Sequence, residues 1–154
     1  MDSHSSSIEC RCGQCRIGLA DTSVRASIEC LCADCRQRAL ISESKSDNSP
    51  IPTEVLNFER GLKLIYFSNA LQISEASKEQ LTFFRLSDVG QNTAAITECC
   101  GTLMFGSHPL YQGHSIWVNA DSCHLETSED CEPSFVAFAS DARKEGLNRH
   151  LFHR

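Results

Sequence analysis

The nonapeptide IECRCGQCR at residues 8–16 returns as IECLCADCR at residues 28–36, identical at six of nine positions. A third knot, Cys99-Cys100-Gly101, lies far along the chain. Of the ten cysteines, eight fall in these places: Cys10, Cys12 and Cys15; Cys30, Cys32 and Cys35; Cys99 and Cys100. Cys123 and Cys131 stand apart and read as buried small side chains or surface thiols. Thiols two or three residues apart, flanked by turn formers, converge on one cation at about 2.3 Å per sulfur, as in zinc sites. Short spacing keeps the loop-closure cost low, and coordination supplies the enthalpy. Any fold must bring these sulfurs together, which restricts where the strands turn. A donor set of thiolates without histidine favours zinc, with an iron–sulfur cluster as a chemical alternative.

Ligand count separates two kinds of site. A structural zinc takes four protein ligands, whereas a catalytic one takes three and keeps a position open. Cys30, Cys32 and Cys35 form a set of three without a neighbouring fourth. Cys10 and Cys12 can join Cys99 and Cys100, with Cys15 as a possible substitute, so five thiols compete for four places. The expectation is two zincs per chain, one structural and one open. Two other readings stay open. Both zincs can be staples, the second completed by Cys123, Cys131 or a histidine. Alternatively Cys12-Gly-Gln-Cys15 and Cys32-Ala-Asp-Cys35 are redox pairs, but such motifs sit in a βαβ context that is absent from this sequence.

Composition narrows the partners. The formal net charge is −6 and the basic residues do not cluster, which argues against nucleic acid. Apolar residues at 41% and charged residues at 22% describe a soluble globular chain of a length suited to one domain, residues 8–154. The opening MDSHSSS, residues 1–7, reads as a disordered polar tail and lacks the apolar core of a secretory signal. No apolar run is long enough to span a membrane. The expected location is therefore cytoplasmic, where clustered cysteines more often hold metal than form disulfides, a disulfide framework being the alternative.

Short β-favouring runs dominate: 8–10, 17–20, 24–30, LKLIYFS (62–68), QLTFFRLS (80–87), TAAIT (93–97), TLMFG (102–106) and SIWVN (115–119). They predict a mainly β fold of antiparallel sheets with one or two short helices. About two helical turns are expected after Cys32, and SESKSDNSP (42–50) reads as a solvated loop. The stretch 134–150 begins strand-like and ends helix-like.

The three-part cysteine pattern resembles the glutathione-dependent formaldehyde-activating enzyme family, which also contains centromere protein V. The likeness lies in Cys10-x-Cys12-Gly, then Cys30-x-Cys32-x-x-Cys35-Arg, then Cys100-Gly-Thr before an apolar strand, and it runs from about Cys10 to Val118. It implies packed sheets in a β-tent arrangement. It also implies a structural zinc on Cys10, Cys12 and the late knot, and a second zinc on Cys30, Cys32 and Cys35 at which chemistry occurs. The implied activity is that of a carbon–sulfur lyase or synthase acting on a glutathione–aldehyde adduct such as S-hydroxymethylglutathione. The implied partner is a small-molecule thiol, glutathione. The competing expectation is a non-catalytic zinc-stabilised module that binds a protein partner. This chain departs from the family at Thr97, where a ligand cysteine is usual, at Leu40, and in the polar stretch 42–50.

Four further residues are candidates for substrate binding. Arg36 and Arg38 follow the second knot and can attract carboxylates, or form a solvent-facing helix edge. His108 and His114 bracket HPLYQGH between two strands. Trp117 reads as core.

Overall fold

Alternating apolar side chains set the strands, and a polar helix joins two of them. The structure is a computed structural model that describes residues 6–48, 61–120, 124–125, 133 and 135–137. In chain order the elements are β1 (Ser7–Glu9), β2 (Arg16–Leu19), β3 (Ala26–Cys30), α1 (Ala33–Asp47), β4 (Leu62–Ser68), β5 (Leu71–Ile73) and α2 (Glu75–Glu79). There follow β6 (Leu81–Phe84), β7 (Thr93–Thr97), β8 (Leu103–Ser107), a 3-10 turn (Pro109–Tyr111), β9 (Ser115–Asn119), β10 (His124–Leu125) and β11 (Phe135–Ala137). The strands build a four-stranded sheet, β10-β1-β2-β5, and a seven-stranded sheet, β11-β3-β4-β9-β8-β7-β6. Neighbours are antiparallel except β11, which pairs parallel to β3.

The larger sheet is apolar on both faces, which explains why LKLIYFS carries apolar residues in both registers. On one face Ile65, Phe67, Phe105, Ile116 and Val118 meet Ile8, Ile17 and Leu19 of the smaller sheet. The expected packing of two sheets is therefore present. On the opposite face Ile28, Cys30, Leu62, Leu64, Leu103 and Trp117 gather with Cys35 and Ala39 of α1. Trp117 lies opposite Gly106, and a Cβ on Gly106 would fall 2.1 Å from the indole Cζ2. The missing side chain makes room for the ring, whose Nε1 donates to Asn92 Oδ1 at 3.2 Å.

Three expectations change. The stretch 42–47 is helical, because α1 runs for 15 residues to Asp47 rather than for two turns. Ser42 and Ser44 are buried there, and Ser42 Oγ donates to Gly101 O at 2.6 Å while accepting from Leu103 N at 3.1 Å. Short serine side chains let the helix lie directly on the late cysteine knot. Lys45 adds an ion pair to Glu98 at 2.8 Å. The second change is at the N-terminus: Ser7 begins β1 and is buried, and Ser6 O accepts from Leu19 N, so the tail reading fails at these residues. The third is the parallel β11, which meets the expected strand-like start of 134–150; the remainder of that stretch lies outside the described residues, as do Cys123 and Cys131. Trp117 is core, at 1% exposure.

Gly106→Ala should destabilise the protein by about 1–3 kcal/mol, the usual range for forcing atoms into a filled core. Urea unfolding of the metal-loaded protein measures it.

Candidate metal centres

Two groups of sulfurs converge, one on each side of the larger sheet. Cys10, Cys12, Cys99 and Cys100 bring their sulfurs within 4.8 Å of one another, and Cys30, Cys32 and Cys35 do the same. In the first group Cys10 Sγ lies 3.6 Å from Cys12 Sγ and 3.7 Å from Cys99 Sγ, and the Cys99 and Cys100 sulfurs are 4.0 Å apart. A tetrahedron with metal–sulfur bonds of about 2.3 Å has edges of about 3.8 Å, so the spacing fits a zinc-sized thiolate centre. In the second group the Cys30 and Cys32 sulfurs are 3.4 Å apart.

Local backbone chemistry explains the first convergence. Between β1 and β2 the chain turns tightly, with Gly13 N donating to Cys10 O and Cys10 N to Cys15 O, both at 3.0 Å. Adjacent cysteines on a regular strand would point to opposite faces. Here β7 ends at Thr97, and a turn closed by Gly101 N to Thr97 O at 3.0 Å carries both thiols to one side. Gly101 has φ +68, and a Cβ there would meet Ser46 N at 2.7 Å, so the turn requires glycine twice over. Thr97 is buried; its hydroxyl accepts from Thr102 N at 3.0 Å and lies 3.5 Å from Cys100 Sγ. Cys15 stays outside the group, buried with its thiol directed at Ser77 O 3.7 Å away.

The second group spans a strand end and a helix start. Cys30 closes β3, Cys32 is the N-cap of α1, and Cys35 sits in its first turn. Cys35 N donates to Cys32 Sγ at 3.3 Å, as an N-cap acceptor requires. Cys30 and Cys35 are buried at 4% and 5% exposure, and Cys32 is the sulfur of the three with intermediate exposure. Among the described residues no fourth ligand completes this group.

In each group the surroundings lower one thiol and raise others. Hydrogen bonds from the Cys30 and Cys35 thiols outweigh burial and, helped by Cys35 N–H and the Arg38 charge, hold Cys32 far below the usual thiol range. The helix N-terminus favours the same charge. Cys30 is pushed up to about 12, chiefly by its bond to Cys32, and Cys35 is raised further by its neighbours Cys30 and Cys32. At the first centre burial works to raise Cys100, but hydrogen bonds from Thr102 and Thr97 and from Cys12 prevail and lower it to about 5. Burial and its Cys12 neighbour raise Cys99 to about 12.

The four other candidates fare differently. Arg36 and Arg38 are buried at 0% and 3% exposure, which corrects the solvent-facing edge. Arg36 Nε donates to Leu31 O at 3.1 Å, a structural bond beside Cys30 and Cys32. Arg38 places its charge near Cys32, and its buried Nε has no hydrogen-bond partner among the described residues. His108 Nδ1 accepts from Leu110 N at 3.0 Å and caps the 3-10 turn. The exposed His114 makes no described side-chain contact with either group, and its carbonyl accepts from Asn69 N. Sequence reasoning passed over the Thr97 and Thr102 hydroxyls and the Tyr66–Tyr111 pair. Thr97 alone carried a signal, at the position where a ligand was expected.

No family model matches the sequence, and no curated protein matches it. Among solved structures, the crystal structure of a Rhodobacter sphaeroides protein, a Northeast Structural Genomics target, is similar to this chain with a TM-score of 0.53 at 13% identity. The match covers 86% of this chain and 99% of that one. At this identity the likeness concerns the fold alone. Among the described residues no helix is long and apolar enough to cross a membrane.

Thr102→Val removes a hydroxyl 3.0 Å from Cys100 Sγ and should raise the pKa of that thiol. Protons then compete with metal at higher pH, so metal should leave the first centre earlier as the loaded protein is acidified. Affinity near pH 5 should fall roughly tenfold, the scale of one hydrogen bond to a charged group. A metal-release indicator followed through an acid titration measures it, with the three-cysteine centre as the internal control.

Proposed function

We propose that the chain is a zinc-dependent carbon–sulfur lyase or synthase that acts on a glutathione–aldehyde adduct such as S-hydroxymethylglutathione. In this reading Cys10, Cys12, Cys99 and Cys100 hold a structural zinc, and Cys30, Cys32 and Cys35 hold a second zinc open to a small thiol. The observation that carries it is the unequal ligand count, four sulfurs against three among the described residues. An all-sulfur donor set selects zinc over harder cations. Zinc at the three-cysteine centre supplies deprotonation of a coordinated thiol near neutral pH.

The remaining parts belong to the protein. Ile28, Leu62, Leu64 and Trp117 form an apolar floor beside Cys30 and Cys35, which keeps bulk water away from the sulfurs. Cys32, the more accessible sulfur, marks the side from which a ligand arrives. Arg38 holds a positive charge beside it, which favours an anionic ligand such as glutathione. Thiolate centres persist in a reducing compartment, so a cytoplasmic location is part of the same proposal. The resemblance of the cysteine pattern to the formaldehyde-activating family supports the choice of substrate.

Glutathione added to cobalt-substituted protein should change the visible absorption of the metal, and Cys35→Ser should abolish that change. An unchanged spectrum at millimolar glutathione would remove the basis for a thiol substrate.

A further inference from the structure

Two phenols share a sheet face with the three-cysteine centre, and the proposed chemistry has not used them. Along β4, Leu62, Leu64 and Tyr66 alternate onto one face. Leu62 pairs with Cys30 and Leu64 with Ile28, while Tyr66 pairs with Ala26 on one side and Trp117 on the other. The face therefore runs from a sulfur, across an apolar floor, to a phenol. The 3-10 turn brings Tyr111 over the same cluster, with its ring edge-on to Tyr66 at a centroid distance of 5.9 Å and an interplanar angle of 83°. The two hydroxyl oxygens are 3.3 Å apart. His108 holds the turn by accepting from Leu110 N, and its ring lies 5.9 Å from that of Tyr111.

A hydrogen count decides what the pair can do. Two hydroxyls bring two hydrogens, and their mutual bond uses one. The other has no acceptor among the described residues, and both tyrosines are half-buried. It is a donor set into an apolar wall, the arrangement by which a mostly apolar site fixes the orientation of a ligand. Tyr66 also lies within electrostatic reach of the centre. Burial first and then the Tyr111 hydroxyl hold its phenol protonated, and Cys30 and Cys35 are near enough to add to the effect.

We propose that the Tyr66–Tyr111 hydroxyl pair is the oxygen-binding pole of the three-cysteine centre, donating its free hydrogen to a hydroxyl or carbonyl oxygen carried close to the ligand's sulfur. The ligand class is a small thiol or thiol adduct bearing such an oxygen, and both tyrosines act as positioning residues. This rests on the reading of Cys30, Cys32 and Cys35 as an open thiol-binding centre.

The test compares 2-mercaptoethanol with ethanethiol, which differ by one hydroxyl, by calorimetric titration into the zinc-loaded full-length protein. The wild type should bind 2-mercaptoethanol about 3- to 10-fold more tightly, the factor of one neutral hydrogen bond. Either hydroxyl alone still brings a hydrogen, so the double variant Tyr66→Phe/Tyr111→Phe should erase that preference while leaving ethanethiol affinity and zinc content unchanged. Equal affinities in the wild type, or a preference that survives in the double variant, would overturn the inference and leave the thiol-binding reading standing. Failure of both thiols to bind would remove both. The wild-type comparison needs no variant and decides the matter if the double substitution costs metal.

Discussion

The contact between Cys10 and Cys99 sulfurs, 3.7 Å apart across 89 residues of sequence, is the constraint around which the rest is arranged. It ties the first turn of the smaller sheet to the turn that follows β7 of the larger one. Closing a loop of that length costs about 4–5 kcal/mol of conformational entropy, which zinc coordination, at about 10–16 kcal/mol, would exceed. The consequence for the backbone is local. The chain must leave β7 sharply enough to turn two adjacent thiols the same way, and Gly101 is the residue that permits it. The same glycine lets α1 rest on the turn, through Ser42 and Lys45. Since α1 is capped by Cys32 and its last turn lies against Gly101, one helix spans the distance between the two centres.

Four thiolates around a divalent cation would leave two negative charges, and three would leave one. Each centre has a guanidinium beside it in a chain that is acidic overall. At the first, Arg11 donates to Cys100 O at 3.3 Å and to Thr102 Oγ1 at 3.4 Å. At the second, Arg38 is buried with its charge near Cys32. A metal-loaded centre of net negative charge would offset the cost of burying that cation.

Much of this was legible in the sequence, for identifiable reasons. The strands at 62–68, 93–97 and 115–119 were found at their observed limits, because β-favouring residues bounded by polar turns are a local signal. The two cysteine groups were legible from spacing, although the exclusion of Cys15 was not, since it depends on a sulfur's direction toward Ser77. The helical 42–47 was missed because serine-rich composition reads as loop unless the partner surface is known. Burial of Arg36 and Arg38 was hidden for the same reason: which side of α1 faces the sheet follows from its two anchors rather than from its polarity. The tyrosine pair joins residues 45 apart through sheet register and a 3-10 turn, and no short pattern announces it.

The measurement that tests the account most directly is the metal count per chain by native mass spectrometry, made on the wild type, Cys32→Ser and the double variant Cys32→Ser/Cys99→Ser. Two zincs in the wild type and one in Cys32→Ser, with the remaining zinc lost on disrupting the first centre in a Cys32→Ser/Cys99→Ser chain, is the predicted result. One zinc in the wild type, or two retained in Cys32→Ser, would contradict the assignment of the duplicated cysteine motif to two separate centres.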